Sequence, residues 1–210
     1  MILNTQKKQK LENKDLLYVH SIFKTIQGEG PFAGYPAIFI RLAGCNLECP
    51  LCDTEYTGSD VRLMSVSDIE KAILNLGENL PSLIVITGGE PFRQDFSKLA
   101  NSLVNNHFKI QVETNGTIYR ESFPYSLVTL VCSPKTAHIN KKLQSIIEYY
   151  KYVGQANKLN LVDGLPVSVL DNKIRAQVAR PPDRSTFSSY IVYLQPADEQ
   201  DDNKNQMNID

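Results

Sequence analysis

The sequence predicts an α/β protein, its repeated βα units forming a parallel sheet or an open βα barrel. Two features of the pattern and one of size predict it. Short β-type runs alternate with amphipathic helical patterns, the order that builds βα units. Four apolar runs each end in a small, polar or glycine-rich cluster: SLIVI in TGGEP, FKIQV in ETNGT, LVTLV in CSPK and YIVYL in QPAD. The chain has 210 residues, 42% hydrophobic and 21% charged, which fits one domain with its own core and ragged ends.

Residues 1–15 include KKQKLENK, too poor in apolar groups to pack, and are expected to form a mobile arm before a domain spanning 16–198. Tyr35-Pro36 leads into AIFIRLA, a strand at 37–43. SVSDIEKAILNLG opens with the candidate caps Ser65 and Ser67 and sets Ile69, Ala72, Ile73 and Leu76 on one helical face. SLIVI is continuously apolar, as a strand buried on both faces should be. FSKLANSLVNN reads as a helix, and FKIQV and LVTLV as strands. INKKLQSIIEYYK reads as an amphipathic helix with Leu143, Ile146, Ile147 and Tyr150 on one side. YIVYL, residues 190–194, is the last predicted strand, and 199–210 form a polar C-terminal segment.

A formal net charge of −1 gives no general attraction to nucleic acid or to an anionic membrane, and neither is an expected partner. There is no basic-then-apolar leader and no apolar run near the roughly 18 residues a membrane span needs. A cytoplasmic location is therefore expected, where thiols stay reduced. Three of the four cysteines fall within eight residues, which in that setting points to a metal rather than to disulfides.

The loop reads GCNLECPLCDT, placing Cys45, Cys49 and Cys52 in a Cys-x3-Cys-x2-Cys motif. Closely spaced thiolates on a short loop wrap an iron–sulfur cluster. Structural zinc takes four protein ligands, and no histidine lies in the loop. His20, His107 and His138 are scattered and read as surface or packing residues, and Cys132 reads as a packing residue. A [4Fe–4S] cubane on three cysteines leaves one iron open to a small molecule. Parallel βα architectures build their sites at strand C-termini, so the four strand endings should share one site.

The motif resembles the signature of the radical S-adenosylmethionine (SAM) superfamily. IFKTIQGEGPFAGYPAIFIRLAGCNLECPLCDT, with TGGEP, ETNGT, SPK, DGLP at 163–166, ARPP at 179–182 and LQP at 194–196, resembles the 7-carboxy-7-deazaguanine synthase family in order and spacing over residues 21–198. The resemblance implies a compact, modified partial βα barrel of the radical SAM type, its parallel sheet carrying helices on the outside, and a lyase of queuosine and 7-deazapurine biosynthesis. That lyase converts 6-carboxy-5,6,7,8-tetrahydropterin to 7-carboxy-7-deazaguanine with loss of ammonia. It implies the cluster, SAM and Mg²⁺ as cofactors, an electron donor such as flavodoxin or ferredoxin, and a homodimer.

Residue roles follow from the same resemblance. Cys45, Cys49 and Cys52 would ligate the cluster and Thr54 would offer its hydroxyl to Mg²⁺. Leu51, Cys52 and Asp53 would contact SAM, as would Gly88, Gly89 and Glu90, then Ser133, Pro134 and Lys135. Gln195, Pro196, Ala197 and Asp198 match a further SAM segment, with Ala197 where the family often has Met. Ile26, Gln27 and Gly28 would form one wall for the pterin, and Arg41 would pair with its carboxylate. Thr87 and Glu113 would read its polar edges, with Glu29 a weaker candidate.

The family usually continues past LQP with another helix and a strand that helps bind substrate. Residues 199–210 read as the start of that helix, so a truncated or shortened C-terminus is expected. The cysteine spacing alone also fits another radical SAM enzyme, such as a glycyl-radical activase, or a metal-binding module without catalysis. IQGEG, ETNGT and DGLP point instead to a small polar ring as substrate.

Overall fold

β1 (Leu16–Ile26) turns back into β2 (Pro36–Leu42) as an antiparallel pair, and β3 (Arg62–Ser65) lies antiparallel along the other side of β1. From β2 onward every pairing is parallel: β4 (Leu83–Gly88), β5 (Lys109–Thr114), β6 (Thr129–Cys132), β7 (Tyr149–Gly154) and β8 (Ile191–Pro196). The sheet order is β3-β1-β2-β4-β5-β6-β7-β8. The computed structural model describes residues 15–49, 52, 54–56, 58–155, 158–167, 177–183, 189–197 and 206.

One addition and one correction to the sequence reading follow. The predicted parallel sheet runs from β2 to β8, and β1 and β3 add an antiparallel end to it. The segment INKKLQSIIEYYK is helical only over α3 (Lys141–Gln144) and then becomes β7. In β7, Tyr150 and Tyr152 are buried on the helix side, while Tyr149, Lys151 and Val153 point the other way. Apolar groups at 146, 147 and 150 satisfy a helical period, but 149–154 also alternate with period two. Pairing with β6 and β8 decides for the strand.

One face of the sheet carries the main core. α1 (Val66–Leu74) contributes Ile69 and Ile73, and α2 (Ser97–Asn105) contributes Leu99, Ala100 and Leu103. α1 starts where expected, with a capping box between Ser65 and Asp68. The opposite face is graded along the strands. At its lower end Ala37, Leu83 and Val85 pack with Phe32 and Phe39; at its upper end stand Arg41, Thr87 and Glu113. Among the described residues no helix is long and apolar enough to cross a membrane.

Gln94 joins these layers where β1 is irregular, between Val19 and Ser21. Its amide oxygen accepts from Tyr18 N–H (2.8 Å), and its nitrogen donates to Tyr18 O (2.9 Å) and Ala43 O (3.1 Å). Gln94 is buried, so no water can replace it. Gln94→Ala is expected to lower stability by about 3 kcal/mol, read from the urea midpoint. An unchanged midpoint would mean the irregular β1 does not rely on this side chain.

Candidate active site

The segment that follows β2 carries the three local cysteines over the top of the sheet. Gly44 N–H donates to Tyr56 O (3.1 Å), and Gly44 O accepts from Glu90 N–H (2.9 Å). Leu47 N–H donates to Cys45 Sγ (3.4 Å), and Cys52 N–H to Cys49 O (3.2 Å). Asn46 ties the loop to the end of β5: its Nδ2 donates to Thr117 Oγ1 (2.9 Å) and its Oδ1 accepts from Asn115 Nδ2 (2.9 Å). Burial pushes the Cys45 thiol up to about 12, so metal loading has to displace a proton there.

Two glycines let this loop settle. Gly88 has φ +152°, and a Cβ on it would lie 2.1 Å from Leu42 O. A Cβ on Gly89 would lie 2.5 Å from Gly44 O and 2.6 Å from Cys45 Cβ. Only hydrogen fits between the end of β4 and the backbone leading to the first cysteine.

Cys45, Cys49 and Cys52 face a single cavity of about 200 Å³, with Thr54 beside them. All four strand endings reach the same cavity. β4 supplies Thr87, Gly88 and Gly89; β5 and its end supply Glu113, Thr114 and Asn115. Ser133 and Lys135 come from beyond β6, and Gln195, Pro196 and Ala197 from β8 and its end. Cys132 does not join them: it is fully buried on the helix side, against Gly116 and Ile139.

Glu113 is the polar centre of the floor. Its Oε1 accepts from Gln27 Nε2 (3.0 Å) and Gln111 Nε2 (3.1 Å), and its Oε2 from Thr87 Oγ1 (3.0 Å). Glu29 and Lys151 pair across the same space.

Comparison with known proteins decides the family. A profile described as the radical SAM superfamily matches residues 39–151. The chain is 36% identical over 190 residues to the 7-carboxy-7-deazaguanine synthase of Rhodospirillum rubrum, covering 87% of this chain and 76% of that one. It is 53% identical over 124 residues to the Rickettsia prowazekii synthase (57% and 51% covered) and 32% identical over 209 residues to the Escherichia coli K12 synthase (88% and 86%). The chain belongs to the 7-carboxy-7-deazaguanine synthase family. The crystal structure of QueE from Escherichia coli matches it with a TM-score of 0.65 at 26% identity, covering 92% of this chain and 90% of that one. The fold is therefore the radical SAM α/β fold, with the mixed sheet described above.

Within the synthase family framework, the positions expected to surround SAM divide into three groups. Gly88, Gly89, Ser133, Lys135, Gln195, Pro196 and Ala197 line the cavity with Cys52. Leu51, Asp53 and Asp198 lie outside the described residues. Pro134 does not line the cavity, although both its neighbours do. Glu90 is fully buried behind the wall, where it accepts from Thr114 Oγ1 (2.9 Å), Phe92 N–H (3.1 Å) and Asn115 N–H (2.7 Å). Three bonds to neighbours occupy this carboxylate, which makes it a strut between β4 and β5.

The expected substrate positions divide as well. Thr87 and Glu113 line the cavity, and buried Gln27 acts through Glu113. Ile26 stands at the hairpin end, 65% exposed, and neither it nor Gly28 lines the cavity. Arg41 is the register partner of Thr87 and shares its face without lining the cavity.

The residues present fit a three-cysteine cluster with SAM. The fourth cysteine faces away, and among the described residues the buried Gln195 Oε1 in the cavity wall accepts from no protein donor. A buried orphan acceptor in a ligand-lined wall is an invitation to a donor on the ligand. Lys151, Asn46 and Asn115 are site-building residues that the sequence reading missed. For Lys151 the signal was available: in a strand, it must face opposite Tyr150 and Tyr152.

Proposed function

We propose that this chain catalyses the synthase reaction of its family: 6-carboxy-5,6,7,8-tetrahydropterin becomes 7-carboxy-7-deazaguanine with loss of ammonia. The observation that carries it is the convergence of three cysteines and four strand endings on one cavity, in a chain 36% identical to a synthase over 190 residues. When bound, the cluster and SAM supply hydrogen-atom abstraction from the substrate. Everything else falls to the chain.

Cys45, Cys49 and Cys52 hold the cluster. Gly88 and Gly89 admit SAM close to the backbone, Lys135 offers a cation to its carboxylate, and Gln195 accepts one of its donors. Thr54, beside Cys52, gives Mg²⁺ a hard oxygen ligand. Glu113 has three acceptor positions filled and one left of about four on a carboxylate, enough for an N–H on the pterin edge. Thr87 fixes Glu113 in that pose. Arg41, on the face of Thr87 in the neighbouring strand, would have to reach the pterin carboxylate from outside the cavity lining. A flavodoxin or ferredoxin as donor, a homodimer and a cytoplasmic setting complete the proposal.

The test is an anaerobic assay with SAM, Mg²⁺, dithionite and the pterin, on the native chain and on Cys49→Ala. The native chain should release 7-carboxy-7-deazaguanine, and the variant none. Deoxyadenosine without a deazaguanine product from the native chain would reassign the substrate.

A further inference from the structure

The turn between β1 and β2, residues 27–35, crosses the polar face of the sheet instead of standing clear of it. A Cβ on Gly30 would sit 3.4 Å from a Val131 methyl on β6, and Lys109 at the start of β5 lies 4.1 Å over the Phe32 ring. At the cavity end, Gln27 holds Glu113 at 3.0 Å. The far tether is an ion pair between Glu29 and Lys151 on β7, four strands beyond β2 in the sheet order.

This pair differs from the other described ion pairs. Lys98–Asp15 and Lys142–Glu121 are exposed, with side chains 61% to 79% accessible. Arg180–Asp163 closes a loop onto itself beside β8, away from the cysteines. Glu29 and Lys151 keep only 27% and 14% of their side-chain surface, and both line the cavity. Two half-buried charges forgo hydration, and their best-attested return is a fixed register rather than stability. The register fixed here is that of the floor loop against the far wall.

Resting on the synthase reading for its substrate, we infer that Lys151 is a positioning residue. Acting through Glu29, it seats the floor loop so that Gln27 orients the Glu113 carboxylate toward the pterin. Lys151 is remote in chain order from the loop it holds, and the pterin-reading edge depends on it while the cysteine loop does not.

The test compares Lys151→Met, Lys151→Arg and the charge-exchanged pair Glu29→Lys with Lys151→Glu in the reconstituted enzyme. Lys151→Met should raise the KM for the pterin about tenfold and leave the KM for SAM and the iron content unchanged. Lys151→Arg should return the pterin KM to near the native value. Hydrogen exchange gives a second readout that needs no turnover: the Gln27 and Gly34 amides, bonded to Tyr35 O and Gln27 O, should exchange faster in Lys151→Met. The exchanged pair should restore their protection. Unchanged amide exchange in Lys151→Met overturns the tether, and a parallel rise in both KM values overturns the selective role. If the native enzyme makes no deazaguanine, the synthase reading fails while the amide readout still judges the tether.

Discussion

Replacing Gly89 with alanine is expected to cut cluster loading sharply and lower turnover by about a hundredfold or more. The added methyl carbon would lie 2.5 Å from Gly44 O and 2.6 Å from Cys45 Cβ, and neither is the far end of a flexible side chain. Relief requires the end of β4 to part from the backbone before Cys45, which breaks the bond from Glu90 N–H to Gly44 O at 2.9 Å. Cys45 would then leave its place relative to Cys49 and Cys52, and a cubane bridging three thiolates has little tolerance for that. Gly88→Ala should be worse: its methyl would meet Leu42 O at 2.1 Å with φ at +152°. Iron and sulfide per chain after anaerobic reconstitution read the effect. Far-ultraviolet circular dichroism tells a lost cluster from a lost fold. Native iron content in a folded Gly89→Ala chain would show that the close approach is not what seats the loop.

The cysteine loop and the four strand endings were legible because each signal is local: thiols at fixed spacing, and apolar runs stopping at small or polar groups. β7 was not, since 141–154 satisfies two periods at once and only its neighbours choose between them. β1 was missed for another reason. Its partner β3 lies about forty residues downstream, and its outer half exposes both faces, so no clean alternation marks it. The buried setting of Glu90 was not legible either, because an acid next to two site glycines looks the same in sequence whether it faces a ligand or a neighbouring strand. Its three donors come from 92, 114 and 115, and only the fold brings those together. The Glu29–Lys151 pair has the same origin: 122 residues separate its members.

Glu90→Ala is expected to cost about 4 kcal/mol, because it leaves the Thr114 hydroxyl and two backbone N–H groups without an acceptor in a site closed to water. Glu90→Gln separates charge from shape. Burial raises the Glu90 carboxyl from 4.5 to about 7, against the pull of its bonds to Asn115, Thr114 and Phe92. The folded chain thus holds this proton more tightly than the unfolded chain. The group's contribution is full below pH 4.5 and is lost as the pH rises through about 7. The swing is about 3 kcal/mol. Urea midpoints at pH 5 and pH 8 should therefore fall more steeply for the native chain than for Glu90→Gln, which has no proton to lose. Equal slopes would assign the titration elsewhere. The amide would still set a donor against Asn115 N–H, so its flatter profile should begin lower at pH 5. Asn115 carries the effect onward, since its side chain donates to Asn46 in the cysteine loop at 2.9 Å. Iron content should then drop in Glu90→Ala even under conditions where that chain stays folded. Full loading there would mean that the strut and the cluster loop are mechanically independent.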